Sequence, residues 1–149
     1  MRTLAVDLGS RRVGLALSDE GGKFATPYDV LEVNSAEEAI GPVCELIRRE
    51  GVRRVVVGLP LNMDNTVGPA ARRAAAWGRR LHESCSIPVI FVDERLSSFQ
   101  AEQSLLDRKR GGERMTRGDR KARLDAIAAA GFLQEFLDGK LVPMQIDKL

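Results

Sequence analysis

The chain has 149 residues, 44% hydrophobic and 30% charged, with a formal net charge of +2 at pH 7. That length suits one domain with a sizeable core, expected to occupy 1–149 with 140–149 as a tail. No apolar stretch approaches the ~20 residues of a membrane span. The first apolar run also begins too near Met1 to leave room for a secretory signal, so the expectation is a cytoplasmic protein with no membrane partner.

The elements follow in chain order. Apolar runs predict strands over 2–8 and 13–18, joined by a turn at Gly9 to Arg12. A hairpin through Asp19-Glu20-Gly21-Gly22 leads to a strand over 28–33. Asn34, with Glu37 three residues on, reads as a capping box for a helix over 35–49. A strand over 53–58 ends at Gly58-Leu59-Pro60, and a helix runs over 66–84. Pro88 opens a strand over 89–92. Ser97 and Gln100 form a second capping pattern, for a helix over 98–107. The glycine-rich, basic stretch 108–118 reads as a loop whose glycines are hinges and which orders when substrate binds. The last helix covers 120–138 and stops at Asp138-Gly139. Three strands joined by short turns form an antiparallel meander, and two more arrive through helices and so run parallel. The fold class expected is α/β: a mixed five-stranded sheet with helices on both faces.

Three acids stand out against this frame. Asp7 ends the run Leu4-Ala5-Val6, a buried central strand, where a carboxylate is costly unless it is paired. Glu94 follows the run Val89-Ile90-Phe91-Val92. Asp125 lies in a helix whose Ala126, Ala128, Ala129, Ala130 and Gly131 let it approach the sheet closely. Lys121, Asp125, Ala129 and Phe132 share one face of that helix. In open α/β sheets, sites form beyond the carboxyl ends of parallel strands. Carboxylates converging there repel one another unless a cation joins them, and hard oxygen ligands suit Mg²⁺ or Mn²⁺. Two such ions ~3.5–4 Å apart serve in-line cleavage of a phosphodiester. In this reading Asp7 bridges the metals, while Glu94 and Asp125 each hold one and orient the attacking water. Asp93 is a further ligand only if the backbone turns it inward, because neighbouring strand residues face opposite ways. Plainer roles compete: Asp7 as a turn former, Asp93 and Glu94 in a surface ion pair with Arg95, and Asp125 as partner to Lys121 or Arg123. Asp19, Asp64 and Asp119 read as turn or cap residues, and His82 and Trp77 as structural.

Residues 108 to 123 hold eight basic side chains against two acids, Glu113 and Asp119. Arginine binds phosphate oxygens in pairs, so an anionic partner is expected, with Arg11, Arg12, Arg95, Arg117, Lys121 and Arg123 as phosphate contacts and Arg95 the best placed. Cys44 and Cys85 match no metal or redox spacing and read as reduced thiols. No phosphate loop, dinucleotide fingerprint, HExxH or GxSxG motif is present.

The run Val6-Asp7-Leu8-Gly9-Ser10-Arg11-Arg12-Val13-Gly14-Leu15-Ala16-Leu17-Ser18-Asp19 resembles the opening of the YqgF/RuvX family. So do Val57-Gly58-Leu59-Pro60-Leu61-Asn62-Met63, Asp93-Glu94-Arg95-Leu96-Ser97-Ser98 and Leu124-Asp125-Ala126-Ile127-Ala128-Ala129. These four motifs, in order, span nearly the whole chain. The resemblance implies an RNase H-like fold related to RuvC, and a nuclease that trims the 5′ end of precursor 16S rRNA during ribosome maturation. The family also carries the label of Holliday junction resolvase. Its acidic positions fall on Asp7, Glu94 and Asp125. The implied partners are precursor rRNA or branched DNA, and ribosomal particles, with a monomer or homodimer as the active form. Three departures stand out: no acid at Gly58-Leu59-Pro60, where related enzymes carry a fourth carboxylate; Ser97-Ser98 in place of threonines; and Asn65 in place of glycine. A non-catalytic nucleic-acid-binding module is the alternative of a different class. A nucleotide-hydrolysing lobe of the actin-like kind is disfavoured, because that fold needs two lobes.

Overall fold

The computed structural model describes residues 1–96 and 117–144, without the side chains of 96 and 117–123. The strands are β1 (Arg2–Leu8), β2 (Arg12–Ser18), β3 (Ala25–Glu32), β4 (Val52–Leu59) and β5 (Val89–Asp93). The helices are α1 (Ile40–Glu50), α2 (Pro69–Cys85) and α3 (Arg117–Leu137), with short 3-10 turns at Ala36–Ala39 and Glu94–Leu96. The sheet order is β3-β2-β1-β4-β5. β1 is antiparallel to β2, and β2 to β3, whereas β4 runs parallel to both β1 and β5. This is the mixed sheet expected, with β1 at its centre.

Alternation along the strands divides the core in two. Leu4, Val6, Val13, Leu15, Val55 and Val57 face α1 and α2, where Val43, Ile47, Trp77 and Leu81 meet them. Ala5, Ala16, Val56 and Val92 face α3, against Ala129, Phe132 and Leu133. The first face carries branched side chains and the second mostly small ones, so α3 lies closer to the sheet.

The boundaries differ from expectation for identifiable reasons. β3 starts at Ala25 rather than 28 because the Ala25 N–H donates to Gln134 Oε1 (2.9 Å), a long-range anchor from α3. The capping box at Asn34 does not form. Ser35 is the N-cap without a side-chain bond, and the Asn34 N–H donates instead to Glu38 Oε2 (3.0 Å), while Glu37 pairs with Arg80. The first turn is a 3-10 turn, and its Ala36 carbonyl accepts from Trp77 Nε1 (2.7 Å). α2 begins at Pro69, where the missing N–H costs nothing. The α3 C-terminus closes as expected: Gly139 takes φ +79°, and Lys140 N–H donates to the Glu135 carbonyl (2.8 Å). Among its described residues the tail makes an antiparallel bridge of Met144 to Phe91. The predicted helix 98–107 and most of the loop 108–118 lie outside the described residues.

Asp19 is the turn residue expected, accepting from the N–H groups of Lys23 and Phe24. His82 shares a hydrogen bond with the Ile87 carbonyl (2.6 Å) and so has a structural role. Cys44 and Cys85, distant in sequence, are neighbours across α1 and α2 with both thiols free. Burial and the adjoining Cys44 push the Cys85 thiol up to about 12. Among the described residues no helix is long and apolar enough to cross a membrane.

Candidate active site

The site is assembled on the α3 face, one step beyond the small residues of that core. Ala5 pairs with Ala16 and, in parallel register, with Val56. Two residues further on, Asp7 pairs with Gly14, while in the neighbouring pair Gly58 stands against Val92. The next positions on this face therefore read acid, glycine, glycine.

Each glycine makes room for one of the other two acids. A Cβ on Gly14 would stand 2.3 Å from the Asp125 carbonyl oxygen and 3.0 Å from the Asp125 Cβ. Contacts under 3 Å between such atoms are prohibitive, so only glycine lets α3 cross β2 at this point and bring Asp125 over the strand pair that carries Asp7. A Cβ on Gly58 would stand 2.7 Å from Glu94 Oε2 and 3.2 Å from Glu94 Cβ. The space beside Gly58, at the end of β4, is filled here by Glu94, reaching back from the 3-10 turn after β5. Sequence reasoning missed both glycines. The available signal was their placement two residues from Ala16 and Val56, on the same strand faces.

Asp7 and Glu94 lie within hydrogen-bonding reach of each other, and Asp125 is close enough to act on Asp7 through its charge. Burial raises the Asp7 pKa to about 6, with the Asp125 charge adding to the rise and the contact with Glu94 opposing it. Burial also raises Glu94, to about 8, helped by the neighbouring charges of Asp7 and Asp93. Glu94 Oε2 is buried and has no hydrogen-bond partner. Asp125 stands 3.4 Å from Arg12 Nε, both side chains about one-third exposed. Among the described residues, no set of three or more His, Cys, Asp or Glu side chains is disposed to enclose a metal ion. The arrangement is a close pair, Asp7 and Glu94, with Asp125 near it and held towards Arg12.

Asp93 and Arg95 have a different role from the one expected. The Asp93 carboxylate accepts from Arg95 Nε (3.0 Å) and Nη2 (2.8 Å), and also from the Arg95 backbone N–H. Asp93 is thereby committed to the competing ion-pair reading and does not turn inward with Glu94. The rest of the Arg95 guanidinium holds the β4–α2 loop, donating to the Asn62 carbonyl and to Asn65 Oδ1 (2.9 Å). It is a clamp on that loop and not a free cation. Asn65 takes φ +69°, the left-handed conformation that glycine adopts easily and that asparagine tolerates. The asparagine therefore fits the turn that glycine would make.

Arg11 and Arg12 line an open cleft of about 550 Å³ with Gly9, Ser10, Glu32, Val33 and Asp125. Its wall is tied down at both ends, because Gly9 N–H donates to the Arg12 carbonyl (2.8 Å) and Val33 N–H to the Arg11 carbonyl (2.9 Å). The side chains of Arg117, Lys121 and Arg123 lie outside the described residues.

The class of fold is settled by structural likeness. RuvC of Thermus thermophilus in complex with a Holliday junction substrate aligns over 97% of this chain and 99% of its own, with 19% identity and a TM-score of 0.57. A second structure of RuvC from the same species aligns with 18% identity and a TM-score of 0.54, covering 97% and 100% of the two chains. The fold is RNase H-like. The sequence itself matches the RuvX family, described as Holliday junction resolvase, over residues 1–139, and the chain belongs to that family. A relative from Anaeromyxobacter dehalogenans is 45% identical over 138 residues, covering 93% of this chain and 97% of its own. One from Caldanaerobacter subterraneus is 37% identical over 140 residues, covering 94% and 98%. Both bear the name "Putative pre-16S rRNA nuclease".

Proposed function

We propose that this chain is a divalent-metal-dependent nuclease, one domain over 1–149, which hydrolyses a phosphodiester bond in structured nucleic acid. Its substrate in this reading is the 5′ end of precursor 16S rRNA, met on a ribosomal particle in the cytoplasm. The observation that carries the reading is the buried, unpartnered Oε2 of Glu94 beside Asp7, under a helix that brings Asp125 to the same strand row. A carboxylate oxygen left without a donor in a buried place costs free energy unless a cation or proton meets it. The donors are all hard oxygens, which fits Mg²⁺ or Mn²⁺. Asp7 and Glu94 would hold the ion, with Asp125 joining them once Arg12 is drawn off towards a phosphate. When bound, the metal supplies an activated water and charge neutralisation at the leaving oxygen.

The chain's own groups do the rest. Asp7 and Glu94, raised by burial, share protons readily in the metal-free protein and exchange them for a cation. Arg11 and Arg12 bind phosphate along the cleft wall, which orients the strand across the carboxylates. Gly14 and Gly58 keep the acids within reach of one another. Arg117, Lys121 and Arg123, all within α3, extend the basic track in sequence.

A second reading is resolution of four-way DNA junctions, favoured by the description of the matched family. It requires paired cuts and hence a dimer. Cleavage of a precursor 16S rRNA 5′ fragment and a four-way DNA junction decides between them, each with Mg²⁺, Mn²⁺ or EDTA, and with wild type beside Asp7→Asn. Metal-dependent cutting abolished by the substitution supports the nuclease, and the faster substrate identifies the role. No cutting of either substrate under any metal favours a binding module, or a nuclease that needs a ribosomal partner.

A further inference from the structure

β5 forms one edge of the sheet and β3 the other. Open edges invite pairing, and proteins blunt them with proline, charge or an irregular register. β3 has all three, in Pro27, in Asp29 and in the shift of its pairing between Leu15 and Ala16. β5 reads Val89-Ile90-Phe91-Val92 before Asp93 and carries none of them within that run. The apolar, regular edge is also the strand that delivers Glu94. Met144, where the described residues end, begins to cover it, bridging Phe91 and donating its N–H to the Phe91 carbonyl (2.7 Å). The Pro88 carbonyl turns the other way, accepting from Val55 N–H in β4 (2.9 Å). Backbone groups of successive strand residues face opposite sides, so Val89, two before Phe91, turns its N–H and carbonyl outward on the edge that Met144 occupies.

Beside Val89 a cavity of about 320 Å³ opens between α2 and β5. Gly78, Pro88, Val89 and Phe91 give it an apolar floor, and His82 and Glu83 stand at its rim. α2 comes this close because of Gly78, where a Cβ would stand 2.5 Å from Phe91 Cζ. The bond of His82 to the Ile87 carbonyl holds the wall in place. We propose that residues 145–149 continue from Met144 as a sixth strand, antiparallel to β5, with Ile146 seated in this cavity. The register at Met144 sets Ile146 opposite Val89, and directly opposite residues share one face of a sheet. Phe91, Val89 and Met144 all pack on the α1–α2 side, the side on which the cavity lies. The sequence Met144-Gln145-Ile146-Asp147 alternates apolar and polar residues, as a strand covering one face requires. Lys148, two residues beyond Ile146, meets the acid at the rim, Glu83. The family match ends at residue 139, so this strap lies beyond it, and the inference stands whether or not the chain is a nuclease.

Amide hydrogen exchange of the full chain, followed residue by residue by NMR at low and high protein concentration, tests this. The Val89 amide should exchange about tenfold more slowly in wild type than in Ile146→Asp, and Ile146→Val should keep that protection. Ile90, whose N–H faces β4, stays protected in wild type and both variants and shows that the sheet is intact. A Val89 amide that exchanges at the same rate in wild type and Ile146→Asp overturns the strap. So does protection that grows with protein concentration, which assigns the edge to a second copy of the chain.

Discussion

Replacing Asp7 by asparagine is expected to raise the stability of the metal-free protein as it abolishes catalysis. A carboxyl whose pKa is higher in the folded than in the unfolded chain binds its proton more tightly when folded. Stability is then fully present below the unfolded value and falls as pH rises through the folded one. For Asp7 that window runs from 3.8 to about 6, and for Glu94 from 4.5 to about 8. At 1.36 kcal/mol per tenfold change in proton affinity, keeping Asp7 ionised at pH 8 costs at most about 3 kcal/mol. Asparagine keeps the shape, carries no charge and can donate to Glu94, so it removes part of that cost. At about 2–4 °C per kcal/mol for a chain of this size, Asp7→Asn should melt several degrees above wild type at pH 8, in EDTA. The gap should close towards pH 4, where wild type is protonated. Thermal melts at half-unit pH steps measure this directly. A gap independent of pH, or a variant less stable at pH 8 than at pH 4.5 by the wild-type margin, would show that Asp7 is not a strained charge.

Other consequences are equally concrete. Mg²⁺ or Mn²⁺ at a hundredfold excess over its Kd should stabilise wild type by about 2.7 kcal/mol and Asp7→Asn far less, read by melting at pH 8. Gly14→Ala forces a methyl into the α3 backbone and should cost about 1–3 kcal/mol by urea titration. Gly58→Ala puts a methyl 2.7 Å from Glu94 Oε2 and 3.1 Å from Phe132 Cε1, so it should lose cleavage, with a smaller loss of stability than Gly14→Ala because side chains and not backbone must give way. Arg95→Ala should expose the 60–68 loop to protease while the far end of the sheet stays protected. Arg12→Gln should lower the salt slope of RNA binding by about one; an unchanged slope removes Arg12 from the phosphate contacts.

The sheet and the three acids were legible because each rests on a local pattern: apolar runs, turn glycines, acids after two apolar strands, and one acid in an alanine-rich helix. What the sequence did not reveal depends on pairs of residues far apart. β3 begins at Ala25 because of Gln134, and the first turn of α1 is shaped by Trp77. The opposition of Gly14 to Asp125 and of Gly58 to Glu94 becomes visible only when strand register is known. Asp93 and Arg95 show the reverse. Their ion pair is two residues apart and was readable, but it competed with a ligand role for Asp93, whose two carboxylate oxygens accept instead from Arg95.

The missing fourth carboxylate and the small residues of the α3 face have one explanation. A sheet face that must bring a helix-borne acid over its central strand has to be thin there, and Ala5, Ala16, Gly14 and Gly58 make it so. Thin packing buries less apolar surface and so contributes less stability. The same closeness excludes water from Glu94 and raises its pKa. An acid on β4 at Gly58 would need the space that Glu94 now fills, so the chain places its second carboxylate from β5 rather than adding one from β4. Gly58→Asp combined with Glu94→Ala is therefore expected to fold and to regain Mg²⁺-induced stabilisation that Glu94→Ala alone loses. If the double variant gains nothing over Glu94→Ala in melts with and without Mg²⁺, the two positions do not share one space for a ligand.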